Sequence, residues 1–110
     1  MPWYDYVSYF FAGAFLTNAI PHLVSGVSGR PFQTPFARPP GIGLSSSRAN
    51  VLWAFANLMM AYILTFWIGP LDPRDVASIS ALGLGAFSLA LAISQTFGRL
   101  HGGVMPNKPN

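Results

Sequence analysis

Three long apolar stretches dominate the sequence and restrict how the chain can fold. They run from about Tyr6 to Val24, from about Arg48 to Ile68 and from about Pro73 to Gly98. A bilayer core about 30 Å thick needs about 20 helical residues, and each stretch is long enough to cross it. Only 8% of the 110 residues are charged, against about 25% in an ordinary soluble domain. The sequence therefore predicts an all-α integral membrane protein, a single membrane domain with three transmembrane helices.

Local signals mark the ends of the second and third helices. The serines at 45–47 offer an N-cap oxygen before the second helix, and Gly69-Pro70 ends it. Asp72 is the predicted cap of the third helix, with Pro73 at its first position and Asp75 completing a capping box.

The charged residues predict the orientation of the chain. With three crossings, the N-terminus and loop 69–75 share one side, and loop 25–47 and the basic tail 99–110 share the other. The first side has all three acids but only one basic residue, Arg74. The second side has the other five basic residues: Arg30, Arg38, Arg48, Arg99 and Lys108. Short loops rich in Lys and Arg remain in the cytoplasm. We therefore predict a protein of the bacterial inner membrane with its N-terminus outside and its C-terminus cytoplasmic.

Polar residues within the spans lie at similar depths. At a rise of 1.5 Å per residue, Asn18, His22, Asn50, Asn57 and Gln95 all fall in the cytoplasmic half of the membrane. We predict that Asn18 meets Asn57, with Asn50 and His22 in a second layer beneath. Pro21 removes one backbone donor, so we expect a kink in the last turn of the first helix.

Small and polar residues also recur at alternating spacings of three and four. Such seams favour close helix association in lipid, and this period predicts a small left-handed bundle. The predicted seams are Asn50, Ala54, Asn57 and Ala61 in the second helix, Ala81, Gly85, Ser88, Ala92, Gln95 and Arg99 in the third, and Phe11, Phe15, Asn18 and His22 in the first.

The long loop 25–47 repeats Pro-Phe within the segment RPFQTPFARP. We expect an ordered interfacial segment, with phenylalanine rings in the acyl boundary and Arg30 and Arg38 on lipid phosphates. The end of the loop permits a second anion site, since glycines before a helix N-terminus present free amides. A turn followed by a helix cap explains the same residues: Gly41, Gly43, Ser46, Ser47 and Arg48.

Several chemistries lack the residues that they need. The chain has no cysteine, and no acid lies within a span, so we expect no metal, no cofactor and no carboxylate proton relay. His22 and His101 leave a bis-histidine haem as a remote alternative, although His101 more simply caps the last helix beside Arg99. The basic residues are dispersed, so we expect no nucleic-acid partner.

Three functions are compatible with these features. The first is a non-catalytic accessory or interaction subunit, with membrane lipids and other membrane subunits, or further copies of itself, as partners. The second is a binder or transporter of a quinone or lipid at a cytoplasmic-side polar pocket lined by Asn18, His22, Asn50, Asn57 and Gln95. The third is an enzyme with His22 as its acid or base.

A reporter fused after Asn110 tests the predicted orientation. We expect a cytoplasmic reporter to be active and a reporter that requires export to be inactive, because basic loops resist translocation. An external C-terminus would overturn the assignment.

Overall fold

The structure is a computed structural model that describes residues 2–105 and 107. Its elements in chain order are α1 (Trp3–Val27), β1 (Phe32–Gln33), β2 (Leu44–Ser45), α2 (Ser47–Tyr62) and α3 (Val76–His101), and α2 continues into a π-helical segment, Ile63–Ile68. The chain is helical, with three helices long and apolar enough to cross a membrane. Lys108 and Asn110, which enter the orientation argument, lie outside the described residues.

The third helix begins later than the sequence predicted. Asp75, and not Asp72, is its N-cap residue. The Asp72 carboxylate accepts a hydrogen bond from the Arg74 N–H at 2.9 Å, and its carbonyl accepts one from the Asp75 N–H at 3.0 Å. These local bonds hold residues 72–75 in a turn, which competes with helix formation.

The central helix is α1, which separates α2 from α3. Ser8 donates to the Leu64 carbonyl at 2.6 Å, whereas Thr17 donates to the Ala86 carbonyl at 3.1 Å. Nine residues are about two and a half helical turns, so Ser8 and Thr17 point to opposite sides of α1. Within the described residues, α2 and α3 both pack on α1 but contact each other only marginally. The three helices therefore form a layer with α1 in the middle.

Glycines allow the helices to approach each other closely. A side chain at Gly85 of α3 would collide with the Phe10 carbonyl, and one at Gly13 of α1 would collide with the Leu82 carbonyl. On the other side of α1, Gly26 faces the Ser47 carbonyl. Backbone-to-backbone packing of this kind stabilises helix pairs in lipid, where burial of apolar side chains gives little advantage.

The predicted seam of α2 is confirmed, and that of α1 is correct at Asn18 and His22 and wrong at Phe11. Asn50, Ala54, Asn57 and Ala61 are all buried. On α1, however, Phe11 is exposed. The buried residues on the α2 side of α1 are small or polar, since bulky rings would prevent close approach: Asp5, Ser8, Ala12, Ala19, His22 and Gly26.

The predicted seam of α3 is correct at Gly85 and wrong towards the C-terminus. Ser88, Ala92, Gln95 and Arg99 are exposed. Phe97 faces inward instead, because its ring packs on Phe32 of β1 with centroids 4.8 Å apart. At the end of α3, Phe97 therefore faces the rest of the protein, and the predicted seam of small and polar residues faces outward.

At the opposite end of the layer, a buried tyrosine links α1 to α3. Tyr9 is fully buried beneath Gly69 and hydrogen-bonds to Ser78. Ser78 in turn donates to the Asp75 carboxylate, so the two helices are joined at the first turn of α3.

Substitution of Gly85 tests the close packing of α1 and α3. We expect Gly85→Ala to destabilise the folded protein by about 1–3 kcal/mol, because the added methyl group overpacks the interface. Gly83→Ala is the matched control, since a methyl group there meets nothing within 4 Å. Thermal unfolding in detergent measures both, and equal stability of the two variants would contradict the packing described above.

Candidate functional site

Four polar side chains meet between α1 and α2, and we call them the polar cluster: Asn18, His22, Asn50 and Asn57. Asn18 Nδ2 donates to Asn57 Oδ1 at 3.0 Å. His22 Nδ1 lies 2.8 Å from Asn50 Oδ1. Both predicted pairs are therefore present, one layer above the other.

Asn50 is the centre of the lower layer and is fully buried. Its Nδ2 group lies 3.1 Å from the Phe32 carbonyl, 3.2 Å from that of Ser45 and 3.0 Å from that of Ser46. The Asn50 side chain thus joins α1 to both short strands and to the start of α2. These contacts with the loop could not be predicted from the sequence, because they depend on how residues 28–46 fold back over the helices.

The surroundings of Asn50 fix the tautomer of His22. Three carbonyl oxygens around Nδ2 orient the amide so that Oδ1 faces the imidazole and accepts a hydrogen bond. Nδ1 of His22 is therefore the protonated ring nitrogen, and in the neutral ring Nε2 carries the lone pair. The side chain as a whole is only 2% exposed.

In the upper layer, the Asn57 side chain is satisfied internally. Asn57 Nδ2 donates to the Trp53 carbonyl at 2.8 Å, one turn earlier in α2, while its Oδ1 accepts from Asn18. An amide inside a membrane must find such partners, because water is absent. The upper layer can therefore join α1 to α2.

An aromatic shell encloses the lower layer. The ring of His22 packs edge-on against Phe32 and Phe97, with centroids 5.4 and 6.2 Å away, and lies 6.4 Å from Trp53. The Trp53 indole N–H is enclosed and has no acceptor among the described residues. Phe36 of the loop packs on the same indole at 5.0 Å.

Gln95 does not belong to the polar cluster, contrary to the sequence prediction. It is exposed on α3, because the packing of Phe97 on Phe32 turns that face of the helix outward. The role of the five predicted residues in ligand binding stays a prediction.

His101 bonds to the loop and not to a helix end. Its Nε2 lies 2.9 Å from Oε1 of Gln33, which is buried. Each of the two histidines therefore forms a hydrogen bond through one ring nitrogen with a side-chain amide, His22 with Asn50 and His101 with Gln33. Among residues 2–105 and 107, no group of three or more His, Cys, Asp or Glu side chains is placed to hold a metal ion.

The residues of the predicted anion site before α2 form a turn followed by a helix cap. Gly41 has φ +74°, Gly43 packs on the Arg38 backbone, and Ser46 Oγ accepts from the Ala49 N–H at 3.1 Å. Arg30, Arg38 and Arg48 are exposed. Anion binding by Gly41, Gly43, Ser46, Ser47 and Arg48 stays a prediction.

Apolar grooves flank α1. One of about 410 Å³ lies beside Pro21 between α1 and α3, and its lining is nearly all apolar: Thr17, Ile20, Pro21, Val24, Phe32, Ala90, Ile93, Ser94 and Phe97. Another of the same volume is bordered by Tyr6, Val7, Phe10, Phe11, Ala81 and Leu84. A smaller groove of about 240 Å³ is bordered by Phe11, Ala14, Phe15, Asn18 and Leu89. The groove beside Pro21 suits an apolar chain better than a polar substrate.

We compared the chain with known protein families, curated proteins and solved structures. The chain matches no protein-family model, and no curated protein or solved structure is significantly similar to it.

Substitution of Asn50 tests its central position. We expect Asn50→Leu to destabilise the protein by about 2–4 kcal/mol, because it leaves buried carbonyls and the His22 N–H without partners. Asn57→Leu removes only the upper layer and should cost about 1 kcal/mol.

Hydrogen exchange measured by mass spectrometry distinguishes the two variants. Backbone amides of residues 32–45 should lose protection in Asn50→Leu and keep it in Asn57→Leu. Equal protection of this segment in both variants would show that Asn50 does not hold the loop.

Proposed function

We propose that this chain is a small, non-catalytic interaction subunit of a membrane assembly. In this proposal it lies in the bacterial inner membrane with its N-terminus outside and its C-terminus cytoplasmic, as the distribution of Lys and Arg favours. The left-handed packing of α1 on α2 is part of the proposal. The seven-residue period of the buried positions supports it.

The polar cluster is the observation that carries this proposal. Its amides and its imidazole bond to each other or to backbone carbonyls, so they act as interhelical contacts. Catalysis needs a group that a substrate can reach, and His22 is enclosed. These contacts favour a structural use of the polar residues over a reaction or a polar pocket.

Gln95 supports an interaction role in a different way. Its amide is exposed and makes no hydrogen bond among the described residues. Phe97, two residues further along α3, lies level with His22, so Gln95 lies about 3 Å deeper in the membrane. A neighbouring helix can satisfy an amide at this depth, and Ser88 and Ala92 on the same face permit close approach.

The groove beside Pro21, between α1 and α3, favours a second candidate, a binder of an apolar or amphipathic molecule such as a quinone or lipid. Its lining is apolar except for Thr17 and Ser94, and the Thr17 hydroxyl already bonds to the Ala86 carbonyl. This candidate uses the apolar groove instead of the polar pocket that the sequence predicted.

Substitution of Gln95 tests the interaction role. We expect the wild-type protein, extracted gently from its native membrane, to appear in native mass spectra with another subunit or a second copy. Gln95→Leu should lose this partner because the amide contact is gone. Thr96→Val is the matched control, since the exposed Thr96 hydroxyl bonds back to the Ala92 carbonyl at 3.1 Å.

The same spectra distinguish the two candidates. Loss of the partner from Gln95→Leu alone supports the interaction subunit. A monomer that retains an apolar small molecule in the wild type and in both variants supports the binder. A monomer that carries nothing contradicts both.

A further inference from the structure

We propose that residues 28–46, here called the hairpin loop, form a lipid anchor that inserts into the surface of an anionic bilayer. The proposal concerns the lipid around the protein and does not depend on the interaction role. It requires only that α1 and α2 cross the membrane, which places the loop that connects them at the interface.

The hairpin loop is held rigidly on the helices. Asn50 bonds to carbonyls in both strands, and Gln33 bonds to His101 of α3. Thr34, which is buried, hydrogen-bonds to Ser45 across the ladder. The backbone that carries the exposed side chains of the loop is therefore held in place, so the loop needs little ordering when it binds.

Three large apolar side chains of the hairpin loop are exposed, although one edge of the Phe36 ring also packs on Trp53. Phe36 is 72% exposed, Ile42 56% and Leu44 60%. Such groups are unfavourable in water and favourable in the acyl boundary of a bilayer, where their apolar surface leaves water. The sequence had assigned Phe32 to this boundary as well, but Phe32 packs inward on His22 and Phe97.

The charge of the hairpin loop selects the lipid. Arg30 and Arg38 are exposed and make no ion pair among the described residues, and the loop contains no acid. Gly43 packs on the Arg38 backbone, so this arginine lies beside the segment that bears Ile42 and Leu44. Apolar groups flanked by arginines match the acyl boundary and the phosphates of an anionic lipid. We therefore assign an anionic phospholipid, and not a zwitterionic one, as the preferred partner.

Spin labels test the insertion. The chain has no cysteine, so single-cysteine variants Ile42→Cys and Leu44→Cys each report one position. In bilayers of phosphatidylglycerol and phosphatidylcholine, both labels should be more accessible to oxygen than to a water-soluble nickel complex. Asn107→Cys, an exposed position on the same side, should show the reverse. Labels at 42 and 44 that behave like the label at 107 would overturn the proposal.

Charge-neutral variants test the selectivity. Native mass spectra of protein released from mixed bilayers give the ratio of retained phosphatidylglycerol to phosphatidylcholine. Each arginine near an anionic surface contributes about fivefold to binding, so Arg30→Gln with Arg38→Gln should lower this ratio by about 25-fold. Arg74→Gln, an exposed arginine at the other end of the layer, should leave it unchanged. An equal ratio in all three proteins would overturn the assignment, whatever protein partner is found.

Discussion

The structure depends on the cost of an unpaired amide in a membrane. Asn50 lies between three carbonyls and an imidazole, and without its side chain the His22 N–H would face hydrocarbon with no acceptor. This one side chain therefore contributes both to the contact of α1 with α2 and to the position of the hairpin loop. Because the loop also contacts Phe97 and His101, Asn50 influences the end of α3 through the loop.

The layered arrangement limits what the protein can do. The central helix α1 is covered on two sides by α2 and α3, yet Val7 and Leu16, which face opposite ways, are both exposed. A layer that is one helix thick has little enclosed space for a substrate and water-free chemistry. Most of its side chains face outward instead, and the proposed roles in interaction and in lipid binding rest on those outward surfaces.

The levels at which the polar residues pair and the buried face of α2 were predictable from the sequence, and the buried face of α3 was not. The pairs Asn18–Asn57 and His22–Asn50 follow from the fixed rise of an α-helix, which gives the depth of each residue once the spans are known. The face of α3 depends on Phe32, 65 residues before Phe97, so a local pattern of small residues could not reveal that Gln95 points outward. The start of α3 was predicted three residues too early. Asp72 and Asp75 are both suitable N-cap residues, and Asp75 caps the helix because residues 72–75 form a turn.

The two interfaces of α1 differ in chemistry, and this difference bears on function. Towards α2 the contact combines small residues with four paired amide and imidazole groups. Towards α3 the middle of the contact is made by Gly13, Gly85 and the Thr17 hydroxyl, without a side-chain amide. The one amide of α3 within its span, Gln95, is thus not used inside the layer. A helix held by its backbone at one face and carrying a free amide at another is suited to join this unit to a neighbouring helix.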